Sequence, residues 1–305
     1  MEIDVEKLKK KKTTEELLEF GIINIDKPSG PTSFDTSDLV KKTLGLRKTS
    51  HFGTLDPKVT GVLPVALNRG CKLTGFFIGE DKEYVGIMRF HEEIGLEKIK
   101  KVIEEKFTGV ITQLPPVRSR VKRQYREREI KNFELIEKEE KNILFRVACQ
   151  GGTYIRKLVH DLGEHFGIGA HMLELRRVRA GIFLENDELY PTVNLFDFEK
   201  VVEEYENGKE ERLRKIIIPG EVVSKLFPVV QVKKKYVEKV LHGSPIFYDF
   251  LKKIKDKDLA NKEERFCAFS GDRFLGVFEI EDKDEKVFGK AMFVLQPLSE
   301  EERKR

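Results

Sequence analysis

Tryptophan is absent from this sequence, and cysteine occurs three times, at Cys71, Cys149 and Cys267, far apart and in no C-x-x-C pair. That spacing excludes a disulfide framework and a cysteine-based zinc site, and predicts a reducing, cytoplasmic setting. No run approaches the roughly 20 apolar residues of a bilayer-spanning helix, and Met1-Glu2-Ile3-Asp4 lacks the apolar stretch of an export signal, so no membrane association is expected. The common cofactor signatures are missing too: there is no G-x-x-x-x-G-K-[ST], no G-x-G-x-x-G after a strand and no H-E-x-x-H. His160 and His165 stand five apart on an expected helix, where their rings diverge, so they form no shared metal site. The expectation is chemistry by side chains alone, without metal or cofactor.

What is present is a full apolar complement under a densely ionic surface. Of the 305 residues, 39% are hydrophobic and 10% aromatic, which excludes a disordered chain, while 36% are charged. The length predicts about two domains of roughly 150 residues. Net charge is only +4, so its distribution carries more than its total. PVRSRVKRQYREREI holds Arg118, Arg120, Lys122, Arg123, Arg126 and Arg128 against Glu127 and Glu129. HMLELRRVRAG adds Arg176, Arg177 and Arg179 against Glu174, and acid collects elsewhere, as between Glu199 and Glu211. A single charge run is usually a solvated face. Two of them, one interleaved with Tyr125, tip the reading toward nucleic acid, whose phosphates release counterions when neutralised.

Residues 1–20, with the lysine run Lys7 to Lys12, read as an N-terminal extension. GIINIDKP reads as a β-branched strand ended by the turn Pro28-Ser29-Gly30-Pro31, after which Thr32 opens a helix that stops at Gly45. HFGTLDPKVTGVLPVAL, with Gly53, Pro57, Gly61 and Pro64, reads as a loop feeding a buried strand. KEYVGIMRF alternates as a strand does, and LEKIKKVIEEKF places Leu96, Ile99, Val102, Ile103 and Phe107 on one helical face. Strands are then expected over 129–137 and 143–150, a glycine-led helix over 153–165 and a strand over 174–185. Strands joined by both hairpins and helices predict an α+β body. After Pro219-Gly220 short strands with glycine turns take over, so a separate small β domain is expected from about Leu226.

Three positions in this pattern stand out chemically. Asp56 lies in Gly53-Thr54-Leu55-Asp56-Pro57, although an Asp before Pro is most often a turn former. Gly151-Gly152-Thr153-Tyr154-Ile155-Arg156 allows close approach of a ligand backbone, although it is equally an ordinary helix start with an exposed arginine. Tyr84 inside KEYVG is by default half-buried strand filler.

Taken together, GIINIDKPSGPTS, KTSHFGTLDPKVTGVLPVAL, KEYVG, QLPPVRSRVKR, GGTYIRKL and GAHMLELRRVRAG resemble, in order, the motifs of TruB-type RNA pseudouridine synthases over roughly Gly21 to Gly181. The second and last of these are similar to the dyskerin branch, the catalytic subunit of H/ACA guide-RNA particles, in its archaeal form. The resemblance implies a pseudouridine synthase fold over 21–220, a mixed and largely antiparallel sheet with flanking helices, and a small β-rich PUA RNA-binding domain over 226–300. It implies isomerisation of uridine to pseudouridine in rRNA or tRNA. Asp56 would be the catalytic aspartate, Tyr84 the aromatic stacked on the target base and Arg156 the partner of the Asp56 carboxylate. Tyr154 and Leu175 would line the same pocket, His51 and Lys122 would meet the substrate, and Lys27 would support the fold or the RNA backbone. The implied partners are guide RNA and three small proteins: a Nop-type, a Gar-type and a kink-turn-binding one. Two residues depart from the pattern, Phe52 and Arg120, each where the family has a small residue; the first puts the local backbone path in question and the second would add a phosphate contact or close a pocket edge. The alternatives are a stand-alone tRNA T-loop synthase and a non-catalytic RNA-binding scaffold, against which the intact Asp56, Tyr84 and Arg156 set argues.

Overall fold

The computed structural model describes residues 3–115, 122–252, 264–281 and 286–297. The chain divides into two units, Thr14–Ile218 and a second made of Met1–Thr13 with Pro219–Arg305.

In the larger unit the β-branched and aromatic segments form strands β1 (Phe20–Lys27), β2 (Thr49–His51), β3 (Thr60–Asn68), β4 (Lys82–Phe90), β5 (Gly109–Gln113), β6 (Arg126–Glu139), β7 (Asn142–Cys149), β8 (Ala170–Ala180), β9 (Phe183–Leu184), β10 (Thr192–Asn194) and β11 (Ile217–Pro219). They make one mixed sheet in the order β10-β1-β3-β8-β4-β7-β6-β5, with β2 on β3, β9 on β8 and β11 on β1. The β1–β10 and β3–β8 ladders are parallel, whereas β1–β3, β2–β3, β4–β7, β4–β8, β5–β6, β6–β7 and β8–β9 are antiparallel. β1 and β3 are buried along almost their whole length, so both read as unbroken apolar runs. β4 alternates between buried and half-buried residues, the pattern of a strand with one core-facing side.

Helices cover this sheet. Thr32 and Asp35 exchange side-chain and backbone hydrogen bonds in a capping box, Asp35 N to Thr32 Oγ1 at 3.0 Å and Thr32 N to Asp35 Oδ2 at 2.9 Å, which fixes the start of the helix Ser33–Thr43. The helix Ile155–His165 lays Ile155, Leu158, Val159 and Leu162 into the core. Its start comes two residues later than the glycines predict, because Thr153 still closes the turn by donating from Oγ1 to the Gln150 carbonyl at 2.7 Å. The helical periodicity read over Leu96–Phe107 is realised as an α-helix to Val102 followed by a wider π turn, Ile103–Phe107.

The second unit holds a five-stranded sheet, β12 (Val229–Gln231), β13 (Ile246–Phe247), β14 (Arg265–Ser270), β15 (Arg273–Ile280) and β16 (Val287–Val294), in the order β12-β14-β15-β16-β13. It has its own core, built around Val230, Val240, Phe266, Phe278 and Phe288. The helix Val5–Lys11, capped by Asp4, belongs to this unit, and its lysines are used there: Lys11 pairs with Asp272, and Lys12 Nζ reaches buried Glu221 Oε1 at 2.5 Å. Among the described residues no helix is long and apolar enough to cross a membrane.

Gly61 marks the tightest crossing in the large sheet. It pairs with Lys27 on one side and Arg177 on the other, at a φ of +101°, and a Cβ there falls 2.2 Å from the Arg177 carbonyl oxygen. Gly61→Ala is expected to lower stability by about 2 kcal/mol or more, measured as a denaturant midpoint against Gly75→Ala, whose Cβ meets nothing within 4 Å. Equal midpoints for the two variants would remove the steric argument.

Candidate active site

The segment between β2 and β3 carries Asp56, and the backbone on both sides of it is tied down. Ser33 Oγ accepts from Leu55 N at 2.8 Å and donates to Leu55 O at 3.0 Å. The Pro57 carbonyl accepts from Gly30 N at 2.9 Å and from Lys27 Nζ at 3.1 Å, and the same buried ammonium donates to Pro28 O at 2.7 Å. Lys27 is therefore a clamp on this loop; burial holds its basicity below the ordinary lysine value, against the opposing pull of the Asp56 charge. Upstream, Arg177 Nη2 donates to Gly53 O at 3.0 Å and its Nε to Val62 O at 2.8 Å. Phe52 does not disturb the path: its backbone N–H bonds Pro64 O at 3.0 Å, and its ring stacks on Phe77 at 4.8 Å in a cluster with Phe183. Gly53, at φ +102°, then turns the chain out of that cluster. The backbone around Asp56 is fixed while the side chain itself stays 48% exposed.

Arg156 arrives from the other side of the sheet order, on the first turn of the helix Ile155–His165. Buried Gln113 at the end of β5 sets that turn, accepting from Tyr154 N at 3.0 Å and donating to Tyr154 O at 3.2 Å. Arg156 Nη2 meets Asp56 Oδ2 at 2.7 Å, with the two side chains 60% and 48% exposed. An ion pair so open to water adds about 0–1 kcal/mol to stability, so its consequence is orientation of the carboxylate.

Tyr84 lies beneath, on β4, opposite Arg177 of β8. Burial pushes its phenol upward; the Arg177 guanidinium opposes the shift and the Asp56 carboxylate adds to it. Leu175, two residues before Arg177 on the same strand face, pairs with Gly86 and shares one core cluster with Leu55, Tyr84 and Ile155. His51 is half-buried, its Nε2 3.3 Å from Thr54 Oγ1, and burial followed by the Arg177 charge holds it below the usual imidazole range. The structure pairs Asp56 with Arg156, sets Tyr84 close enough to feel the Asp56 charge and places His51 beside Thr54 of the same loop, with Leu175 on β8 and Tyr154 just before the helix that carries Arg156. Lys122 stands apart, exposed before β6, and Arg118 and Arg120 lie outside the described residues.

Three comparisons bear on this arrangement. Residues 41–155 match the TruB family pseudouridylate synthase N-terminal domain, and residues 156–224 match the tRNA pseudouridylate synthase B C-terminal domain. The chain belongs to the TruB family. The probable tRNA pseudouridine synthase B of Methanocaldococcus jannaschii is 45% identical over 242 residues, 79% of this chain and 70% of that protein. Its counterpart from Pyrococcus furiosus is 44% identical over 236 residues, 77% and 68% of the two chains. Among solved structures, a Cbf5-Nop10-Gar1 complex superposes with a TM-score of 0.84 at 36% identity, covering 95% of this chain and 89% of that one. An H/ACA RNP bound to a substrate RNA containing 2′-deoxyuridine gives 0.81 at 34% identity, with coverage of 95% and 89%.

As a TruB-family pseudouridine synthase, the chain isomerises uridine in RNA: the N1–C1′ bond breaks, the uracil turns and a C5–C1′ bond forms, with no atom gained or lost. The arginines that the sequence assigns to phosphate contact require a correction. Arg176 donates to both Asp26 oxygens at 3.0 and 2.9 Å and from Nε to Glu185 at 2.7 Å, Arg179 bonds Glu83 at 3.1 Å, and Arg177 is sealed in the core. The 171–181 run is built into the protein. Its counter-charges come from β1, from β4 and from Glu185 just after β9, the first two remote in sequence.

Lys82 is a third buried cation, after Lys27 and Arg177, and one that sequence reasoning missed. Its ammonium, 3.4 Å from the Phe77 and Ile78 carbonyls, is pushed down from 10.5 to about 8, first by burial and then by Arg177. Between those values the unfolded chain holds a proton that the native chain has released, so stability rises with pH across that window. The wild type is therefore expected to gain stability relative to Lys82→Met as pH rises from about 8 to about 10, measured by denaturant unfolding across the range. A difference independent of pH would contradict the burial of a titrating ammonium.

Proposed function

We propose that this synthase works as the catalytic subunit of an H/ACA-type guide-RNA particle in the cytoplasm, modifying uridines in rRNA or tRNA. Asp56 is the catalytic carboxylate, Arg156 its orienting partner and Tyr84 the surface on which the target base stacks. The observation that carries the assignment is the 2.7 Å contact between Arg156 and Asp56, made by an exposed pair on a loop held at Leu55 and Pro57. A target uridine is stacked in its RNA and must be everted, at a cost of a few kcal/mol. An aromatic platform returns about 1–3 kcal/mol of that. The everted nucleoside then meets a carboxylate whose backbone does not need to move, which removes a reorganisation cost from the bond-breaking step.

The particle reading is supported by likeness over 95% of the chain to proteins solved in a Cbf5-Nop10-Gar1 complex and in an H/ACA RNP. Its partners are then guide RNA, Nop-type and Gar-type small proteins and a kink-turn-binding protein, with the second unit acting as a PUA RNA-binding domain over about 226–300. A stand-alone tRNA synthase is the second reading, favoured by the names of the archaeal relatives.

Incubation of the chain with tRNA and with rRNA fragments, with and without guide RNA and partners, separates the two. Product on rRNA only with the guide supports the particle, and product on tRNA alone supports independent action. Asp56→Ala is expected to fold within about 1 kcal/mol of wild type and bind RNA normally while forming no pseudouridine; turnover at the wild-type rate would refute the assignment. Tyr84→Phe should keep RNA affinity, whereas Tyr84→Leu loses roughly tenfold from the missing stack. Equal affinity for the two would eliminate the platform role.

A further inference from the structure

One groove beside the Asp56 loop has no part in the chemistry above. A cavity of about 340 Å³ lies between the helix Ser33–Thr43 and β2, lined by Phe34, Ser37, Asp38 and Lys41 on the helix and by residues 47–51 on the strand side. The four helical residues fall at i, i+3, i+4 and i+7, a single face. Thr49 Oγ1 donates to the Ser37 carbonyl at 2.8 Å and so joins the two walls. A volume of this order suits one nucleotide-sized ligand.

Phe34 is 69% exposed at the mouth of the groove. A lone exposed aromatic on a soluble surface means little; here its neighbours give it a context. Lys41 is held by Asp38 at 2.5 Å and Arg47 by Glu19 at 2.6 Å, while among the described residues no carboxylate pairs with Lys48. The groove is also tied to the catalytic loop at both ends. Ser33, the residue before Phe34, is the one that holds Leu55, and His51, at the strand end of the groove, approaches Thr54 at 3.3 Å.

We propose that this groove binds the nucleotide adjacent to the target uridine in the substrate strand, with its base against the Phe34 ring and its phosphate on Lys48. The inference rests on the reading of Asp56 as the catalytic carboxylate. Everting one nucleoside strips a stacking partner from its neighbour, and an exposed ring within reach of the same loop supplies a replacement face. The strand is the substrate rather than the guide because the groove borders the loop that must meet the target. Aromatic for the base and free ammonium for the phosphate is the combination by which single-stranded nucleic acid is held without sequence preference.

The test uses RNA substrates carrying 2-aminopurine at each position flanking the target, with the full chain and, where turnover requires them, its partners and guide. Fluorescence quenching at one flanking position in wild type, lost in Phe34→Ala, is expected. Phe34→Ala should raise the KM for RNA about tenfold with kcat at saturation retained. Lys48→Gln should reduce the slope of log affinity against log salt by about 1. Quenching at neither flank, or wild-type KM in Phe34→Ala with an unchanged salt slope in Lys48→Gln, overturns the proposal. Pseudouridine is scored in the same reactions: product without quenching fails the groove alone, whereas quenching without product keeps RNA in the groove and fails the catalytic reading.

Discussion

Arg177 is 1% exposed, and among the described residues no carboxylate pairs with it. Its guanidinium is satisfied by the Gly53 and Val62 carbonyls, with the Tyr84 phenol facing it across the β4–β8 ladder. Removing such a charge from water costs several kcal/mol, and that cost is met only while each donor has a partner. The arrangement links three things: the turn that launches the Asp56 loop, the strand that follows it, and the aromatic beneath it. Burial first, and the Arg177 charge second, leave the Lys82 proton held less firmly than in water, and burial lowers the basicity of the guanidinium too. A guanidinium remains charged even so, and its hydrogen bonds hold the geometry.

From that constraint follows the division between backbone and side chain at the site. The loop is held at Gly53 by Arg177, at Leu55 by Ser33 and at Pro57 by Lys27 and Gly30. All of these contacts are to main-chain atoms, so none consumes the Asp56 carboxylate. Arg156 approaches it from a helix whose first turn is fixed by a pair of hydrogen bonds to Gln113. A weakly stabilising surface pair can then have one geometry, because both of its backbones are anchored elsewhere. Preorganisation of this kind is what a reaction without cofactor needs from its protein.

Much of this was legible in the residues. The capping residues Thr32 and Asp35, the alternation of KEYVGIMRF and the breakers of HFGTLDPKVTG give the helix, the strand and the loop nearly where they stand. The order of motifs brought Asp56, Tyr84 and Arg156 into one reading; the first and last are paired, and Tyr84 feels the Asp56 charge. What escaped were chiefly pairings that no motif announces. RRVR reads as a solvated cationic stretch, yet its three arginines answer to Asp26, Glu83, Glu185 and two buried carbonyls. Gln113 and Ser33 look unremarkable in one dimension, since their value lies in the chain segments they meet after folding. Phe52 looked like an obstacle because the pocket formed by Phe77 and Phe183 exists only in three dimensions.

The buried guanidinium, rather than the exposed ion pair, sets the position of the Asp56 loop. Single-turnover pseudouridine formation by Arg177→Met, at a temperature where circular dichroism shows it folded, tests this most directly. The expected result is a rate about a hundredfold or more below wild type, the scale of loss that a misplacement of about 1 Å produces, with RNA affinity retained. A folded Arg177→Met that forms product at the wild-type rate would contradict it.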